Sequence, residues 1–263
     1  MSSPKGRVLI VAGSDSGGGA GIQADLRTVS ALGGFGMTAI TALTAQNTLG
    51  VFGIHPVPPE FVARQMRVVL DDIGADAIKI GMLGSVEIVE AVADVLETIP
   101  DIPLVLDPVM ISTSGSALLD APGVAAMKKR LLPRTLLLTP NLPEAEALTG
   151  LKADSLAAME MAAGRLVELG ARNVLLKGGH LVGDALIDLL VGKDGRAEFR
   201  HTRVDTSHTH GTGCTLASAV AAGLARGAAL RDAAAEAHDY VQRGLRNAPG
   251  FGRGCGPLGR GAP

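Results

Sequence analysis

Aromatic residues are nearly absent from this 263-residue chain, which has no tryptophan, one tyrosine and five phenylalanines. Proteins that bind single-stranded nucleic acid stack its bases on aromatic side chains, and this sequence offers almost none. The net charge is only −2 and no long Lys/Arg run occurs, so the basic stripe that a phosphate backbone requires is also missing. We therefore expect no nucleic-acid partner.

Cysteine and long apolar runs are equally scarce. The two cysteines, Cys214 and Cys255, are far apart in sequence and form neither a disulfide framework nor a CxxC metal-ligand pair. The apolar stretch near the start is too short for a signal sequence, and no window reaches the roughly 18 continuous apolar residues of a transmembrane helix. We expect a cytoplasmic protein with reduced thiols and no membrane partner.

What the sequence does contain is a regular alternation of short apolar runs and longer amphipathic ones. The predicted strands are 7–13, 76–81, 103–108, 135–141 and 173–179, and the predicted helices are 21–32, 59–71, 85–98, 121–131 and 154–170. The strands are almost wholly apolar, which is typical of parallel strands buried on both faces. This order predicts an α/β/α sandwich of three layers around a mostly parallel sheet.

The pattern changes after residue 179. The segments DALIDLLVG and RAEFRHTRV flank the turn GKDG and predict an antiparallel hairpin at the edge of the sheet. A glycine-bearing loop, a helix of small residues and a last helix at 229–247 follow. The Gly- and Pro-rich tail at 250–263 is expected to be partly disordered. We find no repeat or linker and predict one domain over 1–263.

Polar side chains follow several of the predicted strands, namely Ser14, Asp15, Asp107, Asn141 and Lys177. Ligands of open parallel sheets bind at the carboxyl ends of the strands, so these side chains are candidates for a binding site. Turn formation alone accounts for most of the Asp and Asn residues at such places. Lys177 differs, because an ammonium after the apolar run NVLL is costly to bury without an anionic partner.

The first glycine-rich loop contains Gly19-x-Gly21-x-x-Ala24 after a predicted strand, which matches the spacing of a dinucleotide-binding fingerprint. That fingerprint also requires an acidic residue about 20 positions further on. The next carboxylate after Asp25 is Glu60, so a nicotinamide enzyme is disfavoured. The sequence contains no GxxxxGK[ST] P-loop. The first glycine-rich loop is therefore either a flexible turn or a loop that wraps around a small substrate.

The segment HTHGTGCTLAS carries the strongest signal. Gly211, Thr212 and Gly213 lead directly into a helix whose first turn contains Cys214. Unpaired amides at a helix start form an anion site, and glycines let them converge on one oxyanion. The same helix start is expected to lower the pKa of Cys214. The alternative is a tight turn capped by Thr212, with Cys214 as a small core residue.

Two other classes of function remain open at this point. A cysteine hydrolase or acyltransferase would use Cys214 as nucleophile and His208 or His210 as base. A non-enzymatic ligand-binding module would explain the glycines alone. Both leave Lys177 and Asp107 without a task.

Seven separated motifs resemble one known family in the same order: AGSDSGGGAGIQAD, TALTAQNT, KIGML, LDPVM, LTPNLPEAE, LLKGGH and HTHGTGCTLASA. Together they are similar to the hydroxymethylpyrimidine/phosphomethylpyrimidine kinases of thiamine biosynthesis, over about residues 7–247. The resemblance implies a ribokinase-like fold. It also implies ATP- and Mg²⁺-dependent phosphorylation of 4-amino-5-hydroxymethyl-2-methylpyrimidine to the monophosphate and then the diphosphate. A pyridoxal/pyridoxine kinase is the alternative, because its substrate also carries a hydroxymethyl group on a flat ring.

The resemblance further implies roles for single residues. Those expected to contact the pyrimidine are Ala20, Asp25, Gln46, Met82 and Val109, and those expected at the nucleotide are Asp107, Asn141, Glu144, Lys177, Gly178, Gly179 and His210. Asp107 and Glu144 would also bind Mg²⁺, and Gly211 to Cys214 would form the catalytic anion hole. Most sugar kinases of the superfamily have Asp where this chain has Cys214, so the thiol either accepts the proton of the alcohol or only positions it. The assembly that we expect is a homodimer.

Overall fold

The computed structural model describes residues 6–111, 115, 117–179, 185–193 and 195–259. Residue 184 of the predicted hairpin, residue 194 of its turn and residues 260–263 of the predicted tail lie outside these ranges. Nine strands form one sheet in the order β3-β2-β1-β4-β5-β6-β7-β8-β9. The strands are β1 (Arg7–Asp15), β2 (Phe35–Asn47), β3 (Gly50–Pro56), β4 (Ala77–Ile80), β5 (Leu104–Leu106), β6 (Leu137–Leu138), β7 (Asn173–Leu176), β8 (Ala185–Gly192) and β9 (Gly195–Thr202).

Helices connect most of the strands. They are α1 (Gly21–Ala31), α2 (Pro59–Asp72), α3 (Val86–Glu97), α4 (Ala121–Ala126), α5 (Leu142–Thr149), α6 (Leu156–Glu168), α7 (Thr212–Ala225) and α8 (Leu230–Arg246). A π-helical turn at Met127–Leu131 and a short 3₁₀ turn at Leu132–Arg134 extend α4 toward β6. No helix in the described part of the chain is long and apolar enough to cross a membrane.

The sheet separates two apolar cores, which accounts for the nearly continuous apolar strands. One core packs α2 to α6 against one face, and the other packs α1, α7 and α8 against the opposite face. The second core is built largely from alanines of α7 and α8, because small side chains let these helices lie close together. The three-layer α/β/α sandwich predicted from the sequence is therefore confirmed.

The parallel pairings align the carboxyl ends of the central strands. Val11 pairs with Ile80, Ile80 with Leu106, and Leu106 with Leu138, and Leu138 in turn pairs with Val174. These five apolar residues form one row across the sheet. The polar residues that follow each strand therefore emerge along a single edge.

All five predicted strands and all five predicted helices are present, with ends that differ by a few residues. The antiparallel hairpin is confirmed as β8 and β9. The sequence analysis missed β2, β3 and α5. β2 is rich in Ala and Thr and is mostly only partly buried, and β3 is largely exposed, so neither has the apolar run that identified the other strands.

The glycine-rich tail packs against the rest of the chain through residue 259. The amide of Gly254 donates to the hydroxyl of Thr48 (3.3 Å), and the amide of Gly259 donates to the carbonyl of Gly244 (2.8 Å). A Cβ at Gly254 would collide with the backbone of Thr48. The glycines therefore reflect a close approach between chain segments and not an absence of structure.

Candidate active site

A cavity of about 280 Å³ lies at the carboxyl ends of the central strands and is closed on one side by the start of α7. Of the residues predicted from the sequence, those that line it are Ala20, Gln46, Met82, Asp107, Val109, Asn141, Glu144, Lys177, Gly179, His210, Gly211, Thr212, Gly213 and Cys214. The fold thus brings together loops that follow five different strands. This is the place at which parallel α/β sheets bind ligands.

Two of the predicted residues do not line the cavity. Asp25 is 0% exposed and lies beneath it, where its carboxylate accepts a hydrogen bond from Ser218 Oγ (2.7 Å) and pairs with Lys79 Nζ (2.8 Å). Gly178 is buried behind the wall, and its amide donates to Asp188 Oδ1 (2.7 Å). Asp25 and Gly178 therefore act on the cavity only through the residues that they contact.

At one end of the cavity the carboxylate of Asp15 organises the first glycine-rich loop. It accepts hydrogen bonds from the amides of Gly17 (2.8 Å), Gly19 (3.0 Å) and Ala20 (2.8 Å) and lies 2.9 Å from His210 Nε2. Burial alone would raise the pKa of Asp15. The hydrogen bonds from His210 and from the amides outweigh burial and lower the pKa. The carboxylate is therefore ionised and holds the loop around the cavity.

The structure places His210 at this same end of the cavity, beside Asp15 and Gln46. Its ring nitrogen Nε2 lies 3.2 Å from the side-chain nitrogen of Gln46. Its backbone amide donates to the carbonyl of Gly256 (3.1 Å), so the C-terminal tail supports the ring from behind. His210 thus links the tail to Gln46 and Asp15.

At the other end of the cavity, two carboxylates surround an ammonium group. Lys177 Nζ lies 3.3 Å from Asp107 Oδ1. Asn141 and Glu144 form a capping box at the start of α5, in which each side chain accepts a hydrogen bond from the other residue's amide (2.8 Å in both directions). Burial and the nearby Asp107 carboxylate raise the pKa of Glu144 to about 7, although Lys177 opposes the shift.

These two carboxylates fit a magnesium ion held mainly by phosphate and water. Mg²⁺ is commonly bound through one or two carboxylates together with substrate phosphates. Within the described ranges, no group of three or more His, Cys, Asp or Glu side chains could hold a metal ion by itself. Asp107 and Glu144 would supply the oxygen ligands, and the raised pKa of Glu144 indicates that positive charge is favourable there.

The start of α7 faces the lysine end of the cavity. Gly211 is the N-cap in a left-handed conformation (φ 84°), and a Cβ there would collide with the carbonyl oxygen of Gly19. A Cβ on Gly213 would lie 3.1 Å from Lys177 Nζ and 3.5 Å from Asp107 Oδ2. The helix start is therefore adjacent to the ammonium group, as an anion site requires.

The alternative in which Thr212 caps the helix is wrong. Its hydroxyl donates to the carbonyl of Thr209 (2.7 Å), and the N-cap makes no side-chain capping bond. The first hydrogen bond of the helix runs from the amide of Thr215 to the carbonyl of Gly211. The amides of Gly213 and Cys214 precede this bond, so they belong to the first turn, whose N–H groups lack helical partners.

The expected lowering of the Cys214 pKa is also wrong. Burial raises the pKa of the thiol to about 12, and the carboxylates of Asp25 and Asp107 add to the shift. Lys79 and a hydrogen bond from the backbone of Gly21 oppose it without reversing it. Cys214 is therefore a neutral thiol in the ligand-free protein at physiological pH.

Lys79 is the site residue that the sequence analysis missed. Its side chain is fully buried, it lines the floor of the cavity, and it pairs with Asp25. The signal was present, since a lysine inside the apolar strand AIKI has the same cost of burial that singled out Lys177.

Comparison with known proteins identifies the family. A family model described as phosphomethylpyrimidine kinase matches residues 15–259. The hydroxymethylpyrimidine/phosphomethylpyrimidine kinase of Streptomyces coelicolor is 49% identical over 97% of this chain and 94% of that protein. The thiamine biosynthesis bifunctional protein ThiED of Geobacter sulfurreducens is 51% identical over 97% of this chain, which spans about half (52%) of that longer protein.

A solved structure shows the same fold. The pyridoxal kinase of Staphylococcus aureus in complex with AMP-PCP and pyridoxal superposes with a TM-score of 0.90 at 36% identity, over 98% of this chain and 94% of that one. Kinase names therefore recur among both the sequence relatives and the structural neighbours. The chain belongs to the phosphomethylpyrimidine kinase family and is a phosphotransferase with a ribokinase-like fold.

Proposed function

We propose that this protein transfers the γ-phosphoryl group of ATP to the hydroxymethyl oxygen of 4-amino-5-hydroxymethyl-2-methylpyrimidine, and then a second phosphoryl group to the monophosphate. The observation that carries this proposal is the position of Gly213 at the start of α7. A Cβ added to Gly213 would lie only 3.1 Å from Lys177 Nζ. Helix amides and an ammonium group there surround one anion, and a kinase acts mainly by stabilising the charge on a phosphoryl group in transfer.

The Gln46 end of the cavity suits the pyrimidine. The amide of Gln46 offers both an acceptor and donors to an aminopyrimidine edge, while Met82 and Val109 provide apolar surface for the flat ring. The loop around Ala20, which Asp15 fixes, closes the same end. The ring would thus bind with its hydroxymethyl group toward Cys214.

The Lys177 end suits the nucleotide phosphates. Lys177 would pair with phosphate oxygens, and Gly179 leaves room for them because no atom of the residues that the structure describes lies within 4 Å of a Cβ at that position. Asp107 and Glu144 would hold Mg²⁺, which supplies further positive charge to the phosphates. Glu144 is partly protonated at neutral pH, because its pKa is about 7. Binding of the cation would displace this proton, since a nearby positive charge lowers the pKa of a carboxyl group.

Cys214 would act as a neutral group that positions the alcohol. Its thiol stays protonated because its pKa is about 12. A phosphoryl transfer with a loose transition state needs little basic assistance until the new O–P bond forms. The neutral thiol can therefore orient the hydroxyl, while the hydroxyl proton passes to an oxygen of the transferred phosphoryl group as the new O–P bond forms.

Pyridoxal is the second candidate substrate, and the structural likeness to the pyridoxal kinase of Staphylococcus aureus favours testing it. The purified protein is incubated with γ-labelled ATP, Mg²⁺ and either the hydroxymethylpyrimidine or pyridoxal. We expect label on the pyrimidine, first as the monophosphate and later as the diphosphate, with a higher kcat/KM than for pyridoxal. Label on neither alcohol would overturn the proposal, and faster labelling of pyridoxal would reassign the substrate.

We also infer that the protein forms a homodimer through β2 and β3 and acts in the cytoplasm. β3 forms one edge of the sheet, and this hairpin exposes Phe52 (71%) and Ile54 (43%) to solvent. An exposed sheet edge can pair with another chain, and exposed apolar patches mark sites of protein–protein contact. Replacing Phe52 with Glu should shift the mass in light scattering from two chains to one, while Met161→Glu, on exposed α6 surface, should not. A monomeric wild type would refute the inference.

A further inference from the structure

A carboxylate outside the cavity holds the backbone beside Lys177. Asp188 lies in β8, and its Oδ1 accepts the hydrogen bond of the Gly178 amide (2.7 Å). A Cβ on Gly178 would collide with the carbonyl oxygen of Ile187, so the loop after β7 is pressed against β8 at this point. Lys177 and Gly179, on either side of Gly178, both line the cavity. Asp188 therefore fixes the middle of a loop whose two neighbours face the ligand.

The second oxygen of the same carboxylate contacts α8. Asp188 Oδ2 lies 2.6 Å from His238 Nε2, and the other ring nitrogen, Nδ1, lies 2.7 Å from the carbonyl oxygen of Ala234. The ring also stacks on Phe199 (4.6 Å between centroids) and on His201 (4.8 Å). Two hydrogen bonds and two ring contacts thus define the orientation of His238.

His238 is held at both ring nitrogens, because each of them faces an oxygen atom. The carboxylate of Asp188 thus lies between the amide of Gly178 and the ring of His238, and contacts on both sides fix its position.

The other charged groups around the ring are few. Asp188 faces it from β8 and His201 from β9, while Asp239 and Arg246 of α8 act on His201 as well. Burial and the neighbouring His238 lower the pKa of His201. Asp188 is the carboxylate within hydrogen-bond distance of His238.

We propose that Asp188 and His238 are a positioning pair that fixes the backbone of Lys177 to Gly179 and thereby sets the affinity for the nucleotide phosphates. The proposal rests on the nucleotide role of Lys177 proposed above. Neither side chain lines the cavity, so the pair would act only through the Gly178 amide. The pyrimidine end, which other loops form, should be insensitive to it.

Steady-state kinetics of three variants of the full chain test this pair. Asp188→Ala removes a hydrogen bond to a charged acceptor, and we expect the KM for ATP to rise about tenfold. The KM for the pyrimidine and kcat should change less than about twofold, since the loop acts on phosphate binding. Asp239→Ala, a matched change on the exposed side of α8, should leave all three parameters unchanged.

Asp188→Asn provides the readout that a merely structural role would not move. The amide oxygen still accepts from Gly178, and the amide nitrogen faces His238 in place of the second carboxylate oxygen. We therefore expect Asp188→Asn to recover most of the rise in the KM for ATP that Asp188→Ala causes, because the bond to the Gly178 amide is kept.

Several outcomes would overturn the pairing role. These are a rise of about tenfold in the KM for ATP of Asp188→Asn, an unchanged KM for ATP in Asp188→Ala, or an equal rise of both KM values with a fall in kcat. Asp188→Asn keeps the test decisive if Asp188→Ala does not fold. A wild-type protein without phosphoryl transfer would instead refute the proposed function, so the two failures are distinguishable.

Discussion

Replacing Lys79 with Met should lower the free energy of unfolding by about 3–5 kcal/mol, because the change leaves the buried carboxylate of Asp25 without its cation. In the wild type the two groups lie 2.8 Å apart with side chains that are 0% exposed. Burial alone would lower the pKa of Lys79, but the Asp25 carboxylate outweighs burial and raises it, so the lysine is charged. Urea unfolding followed by far-UV circular dichroism measures the loss.

Two comparisons isolate the cause of that loss. Lys152→Met, at an exposed position, should change the free energy of unfolding by no more than about 0.5 kcal/mol. The double variant Lys79→Met/Asp25→Asn should recover part of the loss, since the uncompensated charge is removed and Ser218 still has an acceptor. A double variant less stable than Lys79→Met would contradict an ion-pair explanation.

The deficit of Lys79→Met should also depend on pH. Burial raises the pKa of Asp25 above its unfolded value, and the loss of Lys79 raises it further. A group whose pKa is raised in the folded state binds its proton more readily there, so its contribution favours folding at low pH and is lost as the pH rises through the folded pKa. The stability of Lys79→Met relative to the wild type should therefore improve as the pH falls from 7 toward about 5.

The strands could be predicted from the sequence where they are buried on both faces, because such strands are almost wholly apolar. The runs that became β1, β4, β5, β6 and β7 are apolar because helices cover both sides of them. Parallel pairing then brings Asp107, Asn141 and Lys177 to one edge, so that part of the site followed from the order of the strands. β2 and β3 could not be found this way, since β2 mixes buried residues with partly buried and exposed ones and β3 is largely exposed.

The errors in the site have a different origin. The low pKa expected for Cys214 came from a local rule about helix ends, whereas the actual shift comes from burial and from Asp25 and Asp107, which only the folded chain brings near. Asp25 is close in sequence to the loop that lines the cavity, but it lies on α1 and points to Lys79. Local patterns identify which residues matter and leave their contacts to the tertiary structure.

Cys214→Ala should reduce kcat about 10²-fold, because loss of a group that positions the reacting alcohol can cost that much. The KM for ATP should change less than about threefold, because the phosphate-binding groups remain. Since the thiol pKa is about 12, a thiol that only positions the alcohol predicts that Cys214→Ser retains turnover within about tenfold of the wild type.

The pH dependence of kcat separates a thiol that positions the alcohol from a thiolate that acts as base. A thiolate base with a pKa of about 12 would make kcat rise about tenfold for each pH unit across the neutral range, whereas a neutral positioning thiol gives a flat profile there. Alkylation of the ligand-free protein by iodoacetamide should be slow at neutral pH and should accelerate steadily up to the highest pH at which the protein is folded, because only the thiolate reacts. Cys214→Ala, which retains Cys255, measures the background. If the alkylation rate instead levelled off above about pH 7, the pocket would stabilise the thiolate. The lowering of the Cys214 pKa by the helix start would then be larger than the raising of it by burial.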